Sequence, residues 1–591
     1  MDRKYYSSEI NHQILLALMK AHNVRKIVAS PGTTNINFVG SVQNDNFFEV
    51  YSSIDERSAS YLACGLAAES GEPVALTCTG ATASRNYVPG LTEAFYRKLP
   101  VLAITSSQHF GRIGSYIPQV IDRSTPPKDC VKMAVHIPTI RANEHEDVWS
   151  ATVKINEALL ELRHNGGGPV LINIATEYNS KFDAVELPNV QVINRIEHND
   201  PLPEINAHTV GIFVGAHPKW SSDLTNLVDK FCERYNAAVI IDHSSNYKGK
   251  YGINAKIVPI SPRQGMDLLI HIGEISGSYM DVRPKEVWRV SPDGVIRDMY
   301  HKMRYVFEMT ETEFFSKYVN TTMGGGGITA NTEYYSQWRK DCDYCLSKYP
   351  EDLPFSNLWI ARETINKLPA NSVLHLGILN SLRCWNYFEL PKSIYSYSNT
   401  GGFGIDGTVS ALVGASFAAP EKLFFGIIGD LAFFYDMNSI GNRHINKNLR
   451  LMMINNGCGI EFKNYMHLAA RTFGDDADRF MAARGHFAKQ SRELVKHYAQ
   501  DLNFEYMSAA NKNEYLANLE RFTTPAMLDR PILFEIFTTP EDESRAIWQV
   551  NNIDIPDLLP PLTAVGYAKK TVKKIIGEQN VKAVKKLIGR K

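Results

Sequence analysis

The sequence predicts an α/β protein built of several doubly wound parallel-sheet domains, and two observations predict it. Short β-branched runs alternate with helical stretches along three successive segments, and most runs are apolar at consecutive positions. Consecutive apolar residues mark strands buried on both faces, as in a parallel sheet covered by helices. Length is the second observation. A chain of 591 residues exceeds what one core can organise, and ~150 residues per domain gives three or four units.

The elements follow in order. MDRKYYSSEINHQILLALMKAHNV carries an acid and several polar residues within its apolar stretch, so it reads as an amphipathic helix and not a signal peptide. In the first segment KIVAS (26–30), PVALTCTG (73–80), PVLAITSS (100–107) and PVLINIAT (169–176) read as strands, with a helix at ERSASYLACGLAAES (56–70). The second holds GIFVGA (211–216), AAVIIDH (237–243) and DLLIHIGE (267–274). SVLHLG (372–377), KLFFGIIGD (422–430), LRLMMINN (449–456) and PILFEIFT (531–538) make the third. Polar or Pro/Gly stretches at 197–206 and 320–332 separate them, which predicts domains over 1–195, 200–325 and 350–550. Residues 551–591 are then a linker and a basic amphipathic tail.

Composition excludes several classes. Lys plus Arg and Asp plus Glu number 63 each, so no global field draws nucleic acid or an acidic partner. No run of about 18 apolar residues is long enough to span a bilayer. The eight cysteines are scattered, several in apolar surroundings (Cys64, Cys78, Cys232, Cys384), the usage of a reducing compartment such as the cytoplasm. Cys342 and Cys345 form one CxxC with no second pair to complete a zinc site.

In open α/β sheets ligands collect beyond the C-terminal strand ends. The apolar strand before Gly429-Asp430 and the one before Asn455-Asn456-Gly457 place a carboxylate, an amide oxygen and a turn carbonyl at one sheet edge. Hard oxygens of this kind suit magnesium, and the N–H groups of Leu431 and Ala432, opening a helix, suit a phosphate. Taken singly, Asp430 reads as a helix N-cap and Asn-Asn-Gly as a turn. Together, with 26 residues from Asp430 to Asn456, they resemble the signature of the thiamine-diphosphate-dependent enzymes.

A second landmark is Glu56, shortly after the β-like run FFEVYSS and at a helix start. By itself it is an acid suited to a first helical turn. The resemblance makes it the cofactor-activating glutamate, whose bond to the aminopyrimidine leads to a ylid and, after attack on a 2-oxo acid and loss of carbon dioxide, to an enamine. The resemblance also implies three domains (pyrimidine-binding, central, and diphosphate- and metal-binding), and a homodimer or homotetramer with each active site between subunits. It assigns Thr79, Gly80, Gly402, Gly404, Ile405, Gly429, Asp430, Leu431, Ala432 and Asn456 to the cofactor, with Asp430, Asn456 and the Cys458 carbonyl on the metal.

SPGTTN (30–35), TCTGATASRNYVPGLTEAFYRKLPVLAIT (77–105), LHLGILNSLRCWNYFEL (374–390) and NTGGFGIDGTVSALVGASFA (399–418) are similar to one branch, the 2-succinyl-5-enolpyruvyl-6-hydroxy-3-cyclohexene-1-carboxylate synthases of menaquinone biosynthesis. That branch joins a 2-oxoglutarate-derived succinyl group to isochorismate and clamps its polyanionic substrates with arginines. Here Thr34, Gln108 and Thr400 stand at three of those arginine positions, and Arg383 is displaced from a fourth by two residues. Each lost bidentate pair removes about 1.5–3 kcal/mol. The residues offered instead are Gln108, His109 and Arg112 beyond one strand end, and Glu461, Lys463 and His467 beyond another. His109, with Gln108, is the candidate for proton transfer to an intermediate.

The reading is a thiamine-diphosphate- and magnesium-dependent decarboxylase or carboligase acting on a 2-oxo acid. Two alternatives stay open: the succinyl-transferring synthase itself, and a non-catalytic cofactor-binding protein. A flavin-bearing relative is disfavoured because GIFVGAHPKW lacks a dinucleotide fingerprint. The tail 568–591, with nine Lys/Arg and one Glu, suits either a packed C-terminal helix or peripheral contact with an anionic membrane at its inner face.

Overall fold

The computed structural model describes residues 5–141, 144–178, 181–278, 280–320, 331–465, 467–483 and 491–553. The basic tail and most of the glycine-rich stretch 320–332 lie outside the described residues. The chain forms two compact units, Met1–Leu202 with Glu286–Met309, and Pro203–Lys285 with Thr310–Lys591.

In the first unit six parallel strands lie in the order Glu49–Ser52, Lys26–Ala29, Val74–Thr79, Val101–Ser107, Val170–Ala175, Met133–Ile137. The order reverses beside the strand that begins the sheet, which brings the loops after residues 29, 52, 79 and 107 together along one edge. The helix Glu56–Ser70 starts where Asp55 caps it, its carboxylate accepting from the Ser58 N–H at 2.7 Å, and stops at Gly71 with φ +67°. Gly90 lets the next helix approach closely, since a Cβ there would lie 2.2 Å from Ser60 Oγ. Glu56 is therefore held at a rigid helix start. This unit also carries the parallel strands ending at Val290, Phe307 and Ile196.

The second unit contains the parallel strands Gly252–Asn254, Ala237–Ile241, Val210–Val214 and Gly265–Ile272, in that spatial order. It also contains a six-stranded parallel sheet, ordered Tyr395–Tyr397, Val373–Leu376, Phe424–Gly429, Leu449–Asn455, Ile532–Phe537, Glu505–Ala509. Alternate residues of its central strands enter opposite cores. Phe425, Ile427, Met452, Ile454, Phe534 and Ile536 pack with Trp359 and Tyr515. Phe424, Ile428, Leu451, Met453 and Leu533 pack with Leu412 and Phe433. Burial on both faces is why these strands are apolar at most positions, at about 1.5–3 kcal/mol per large side chain. Among the described residues no helix is long and apolar enough to cross a membrane.

Candidate active site

In the second unit the parallel register sets Gly429 beside Ile454, so Asp430 and the Asn455–Gly457 turn emerge side by side. Asp430 is 2% exposed. Its Oδ2 accepts from the Gly457 N–H at 2.7 Å, made possible by Gly457's φ of +74°, and its Oδ1 accepts from the Leu431 N–H at 2.7 Å. The Leu431 N–H thus faces Asp430 itself and not outward as the sequence suggested. Of the paired asparagines, Asn455 turns to Glu535 (Nδ2 to Oε1, 2.7 Å), while Asn456 Oδ1 stays in the turn and accepts from the Cys458 N–H at 3.2 Å.

Two further buried acids sense Asp430. Burial, with the Asp430 charge contributing, raises the pKa of Glu535 and pushes Glu543 up to about 7. Glu543 accepts from the Thr538 hydroxyl (2.8 Å), the Asn357 N–H (3.0 Å) and Asn380 Nδ2 (3.4 Å). It ties down the turn where Leu379 adopts φ +70°, ψ −112°, a strained conformation for a branched side chain. A Cβ on Gly401, Gly402 or Gly429 would meet no atom within 4 Å, so these glycines border open space. Hard oxygens, a surplus of buried negative charge and a glycine-lined opening fit a divalent cation carrying a diphosphate. Ile405 packs against both cores beside this opening, between Phe403 at φ +55° and Gly407 at φ +64°.

In the first unit Glu56 is half-buried, and its charge reaches the buried Cys78 and Tyr87, raising both pKa values as a minor contribution beneath burial. Gly32 and Gly80 permit close contacts at the same edge. A Cβ on Gly32 would fall 2.0 Å from Thr79 Cγ2, and one on Gly80 would fall 2.8 Å from the Ser106 carbonyl oxygen. Thr79 ends, and Gly80 follows, the strand two places from the one leading into Glu56.

Comparison with known proteins decides the family. Residues 11–125 match the model for the thiamine pyrophosphate enzyme N-terminal TPP-binding domain. A 2-succinyl-5-enolpyruvyl-6-hydroxy-3-cyclohexene-1-carboxylate synthase of Bacteroides fragilis is 30% identical over 572 residues, covering 92% of this chain and 98% of the relative. Synthases of the same name from Phocaeicola vulgatus (30% over 568 residues, 91% and 97%) and Desulfotalea psychrophila (24% over 566 residues, 91% and 99%) align over comparable lengths.

The chain belongs to the thiamine-diphosphate-dependent enzymes, in the menaquinone-synthase branch.

As a thiamine-diphosphate enzyme it performs carbon–carbon bond chemistry. The residues that the sequence resemblance set at arginine positions are mostly engaged within the protein. Thr34 is buried and donates its hydroxyl to the Ser106 carbonyl at 2.6 Å. Thr400 is 5% exposed and covered by Gly277, where a Cβ would lie 3.2 Å from Thr400 Cγ2. Gln108 donates to the Tyr178 hydroxyl at 3.1 Å and accepts from the exposed Arg112. His109 is exposed, and its Nδ1 accepts from the Gly111 N–H at 3.0 Å.

In the second unit a cavity of about 470 Å³ is lined by Lys256, Arg383, Tyr387, Glu461, Asn464 and His467. Arg383 and Glu461, both expected at the substrate, grip each other in a bidentate pair at 2.7 and 3.3 Å. His467 Nδ1 accepts from the Ala469 N–H at 3.1 Å, and Lys463 turns to Asp478 at 3.1 Å. Lys256 escaped the sequence reading because GINAKIVPI carries no motif. Burial, then repulsion from Arg383, lowers its pKa to about 8, and its Nζ sits 5.1 Å above the Tyr387 ring. Glu543 escaped because PEDE reads as ordinary first-turn acids.

Proposed function

We propose that this enzyme decarboxylates a short 2-oxo acid bearing one carboxylate, or transfers its acyl unit, with thiamine diphosphate held through magnesium. The observation that carries this reading is the charge balance of the 470 Å³ cavity. Among the described residues, Glu461 already matches Arg383, which leaves Lys256 as the lining cation available to a substrate carboxylate. Desolvating a second, unpaired carboxylate there costs several kcal/mol.

In this reading Asp430, the Asn456 side-chain oxygen and the Cys458 carbonyl hold the metal, and Gly402, Gly404, Gly429, Ile405 and Ala432 border the cofactor. Bound thiamine diphosphate supplies the carbon nucleophile and the electron sink for loss of carbon dioxide. Glu56 holds a proton at the aminopyrimidine, with Thr79 and Gly80 beside the ring. His109 and Gln108 serve proton transfer and, with Arg112, border the substrate. Residues 1–195, 200–325 and 350–550 are the three functional domains, assembled in at least a two-fold oligomer. The eight free, buried cysteines accord with a reducing, cytoplasmic setting.

The test is catalytic efficiency with pyruvate and other short 2-oxo acids against 2-oxoglutarate plus isochorismate. Efficient formation of the succinylated cyclohexadiene would overturn the proposal. A second reading, the succinyl-transferring synthase itself, is favoured by one observation: the displaced Arg383 still lines the cavity. That product would establish it.

Lys256 gives a further expected result. Its ammonium is the form that binds an anion, so binding is full below about pH 8 and declines as pH rises through that value. The kcat/KM of the preferred 2-oxo acid should fall above this pH. Lys256→Gln should raise KM roughly tenfold or more, from about 1.5–3 kcal/mol per charged hydrogen bond, and flatten that limb. An unchanged KM and pH profile would remove Lys256 from the site.

A further inference from the structure

The second unit contains another cavity, of about 460 Å³, that shares no lining residue with the one around Arg383. Its walls include Lys248, Lys250, Lys392, Arg339, Tyr335 and Asp242. The acids of this wall are already occupied. Asp242 accepts from the Ser244 N–H (2.7 Å), the Ser276 hydroxyl (2.6 Å) and the Ser278 N–H (3.1 Å), and Glu389 pairs with Arg339.

Lys248 is different. No carboxylate pairs with it among the described residues; its Nζ lies 5.7 Å from the centre of the Tyr395 ring, and Lys219 Nζ lies 4.9 Å from the same ring. Lys392 Nζ donates to the Gly249 carbonyl, one residue from Lys248, at 2.8 Å. The backbone on either side is fixed. Asn246, at φ +56°, bonds to the His217 and Ser396 carbonyls at 3.0 Å each, the Tyr247 hydroxyl bonds to Asp229, and the Lys250 N–H donates to Asp229 at 3.1 Å. The backbone that carries Lys248 is thus fixed at the wall of an opening of ligand size, and among the described residues no carboxylate pairs with its ammonium.

We propose that this cavity is a second binding site, for a small phosphate-bearing anion, with Lys248 as its central contact and Lys392 beside it. Burial and the Lys392 charge push the Lys248 pKa down to about 8, and a bound anion would restore it. Tyr335, half-buried in the cavity wall, offers an aromatic ring to an organic group on that phosphate.

The test uses the protein loaded with thiamine diphosphate and magnesium, and pyridoxal 5′-phosphate as probe. The probe's aldehyde condenses with a neutral lysine amine, borohydride reduces the imine, and peptide mapping locates the label. Near pH 7.5, Lys248 should be labelled roughly tenfold or more faster than the exposed Lys98, because more of it is neutral. Millimolar ADP should suppress the reaction, and adenosine should not. Protection by inorganic phosphate as well as ADP would identify the free anion as sufficient. Protection by ADP alone would assign an organic phosphate. In calorimetry of the loaded protein, Lys248→Gln should weaken whichever of the two binds by at least about tenfold, while thiamine diphosphate binding is unchanged. Labelling at the Lys98 rate, or labelling that neither anion slows, would overturn the site.

Discussion

Asp430→Ala is expected to abolish magnesium-dependent binding of thiamine diphosphate, seen as loss of the calorimetric heat that metal produces in the parent protein. The carboxylate sits at the end of a buried strand with two backbone N–H groups fixing its oxygens, at 2.7 Å each. Its charge contributes, beneath burial, to the raised pKa values of Glu535 and Glu543. Alanine also leaves the Gly457 N–H without its acceptor, which costs about 1–3 kcal/mol of stability. Asp430→Asn removes the charge but keeps one of the two acceptor oxygens, so one backbone N–H loses its acceptor and not both. It should remain folded, at a somewhat lower Tm, and still fail to bind cofactor with metal. Unchanged affinity in a folded Asp430→Asn protein would sink the metal assignment.

Glu56→Gln should leave cofactor affinity nearly intact and reduce turnover by roughly 10²–10⁴, the usual worth of positioned proton transfer. Its backbone position is set by the Asp55 cap and by the Gly90–Ser60 packing, neither of which involves the Glu56 carboxylate. The substitution therefore tests the carboxylate and not the fold. Deuterium exchange at the thiazolium carbon is the direct readout, and exchange at the parent rate would exclude Glu56 as activator. If each site draws Glu56 from one subunit and Asp430 from another, mixing Glu56→Gln with Asp430→Ala proteins should regenerate part of the activity. A stable, active monomer would refute that arrangement.

The parts of the fold legible in the sequence were those buried on both sides. Every central strand of the diphosphate-side sheet, such as 422–430 and 449–456, was apparent as an apolar run. Tyr395–Tyr397, Glu505–Ala509 and Met133–Ile137 were not, and each is an edge strand with fewer covered positions. Edge strands lose the continuous apolar signal because one flank meets solvent or loops. The helix at 56–70 was legible to the residue because capping and termination are local, resting on Asp55 and Gly71.

Site chemistry divided in the same way. The positions of Asp430, Asn456 and Glu56 just beyond strand ends were legible because short motifs mark them, and local backbone geometry decides those positions. The partners of Arg383, Thr34 and Gln108 were not legible. Glu461 lies 78 residues from Arg383, and Ser106 lies 72 from Thr34. Nothing in local sequence tells whether an arginine will face a substrate or a neighbouring acid. Sequence by itself determined the family, the cofactor and the strand ends where the candidate residues stand, since these depend on short motifs, periodicity and short-range turns. Only the tertiary structure decided which charges remain available, Lys256 and Lys248 among them, because charge pairing is settled by long-range packing and burial.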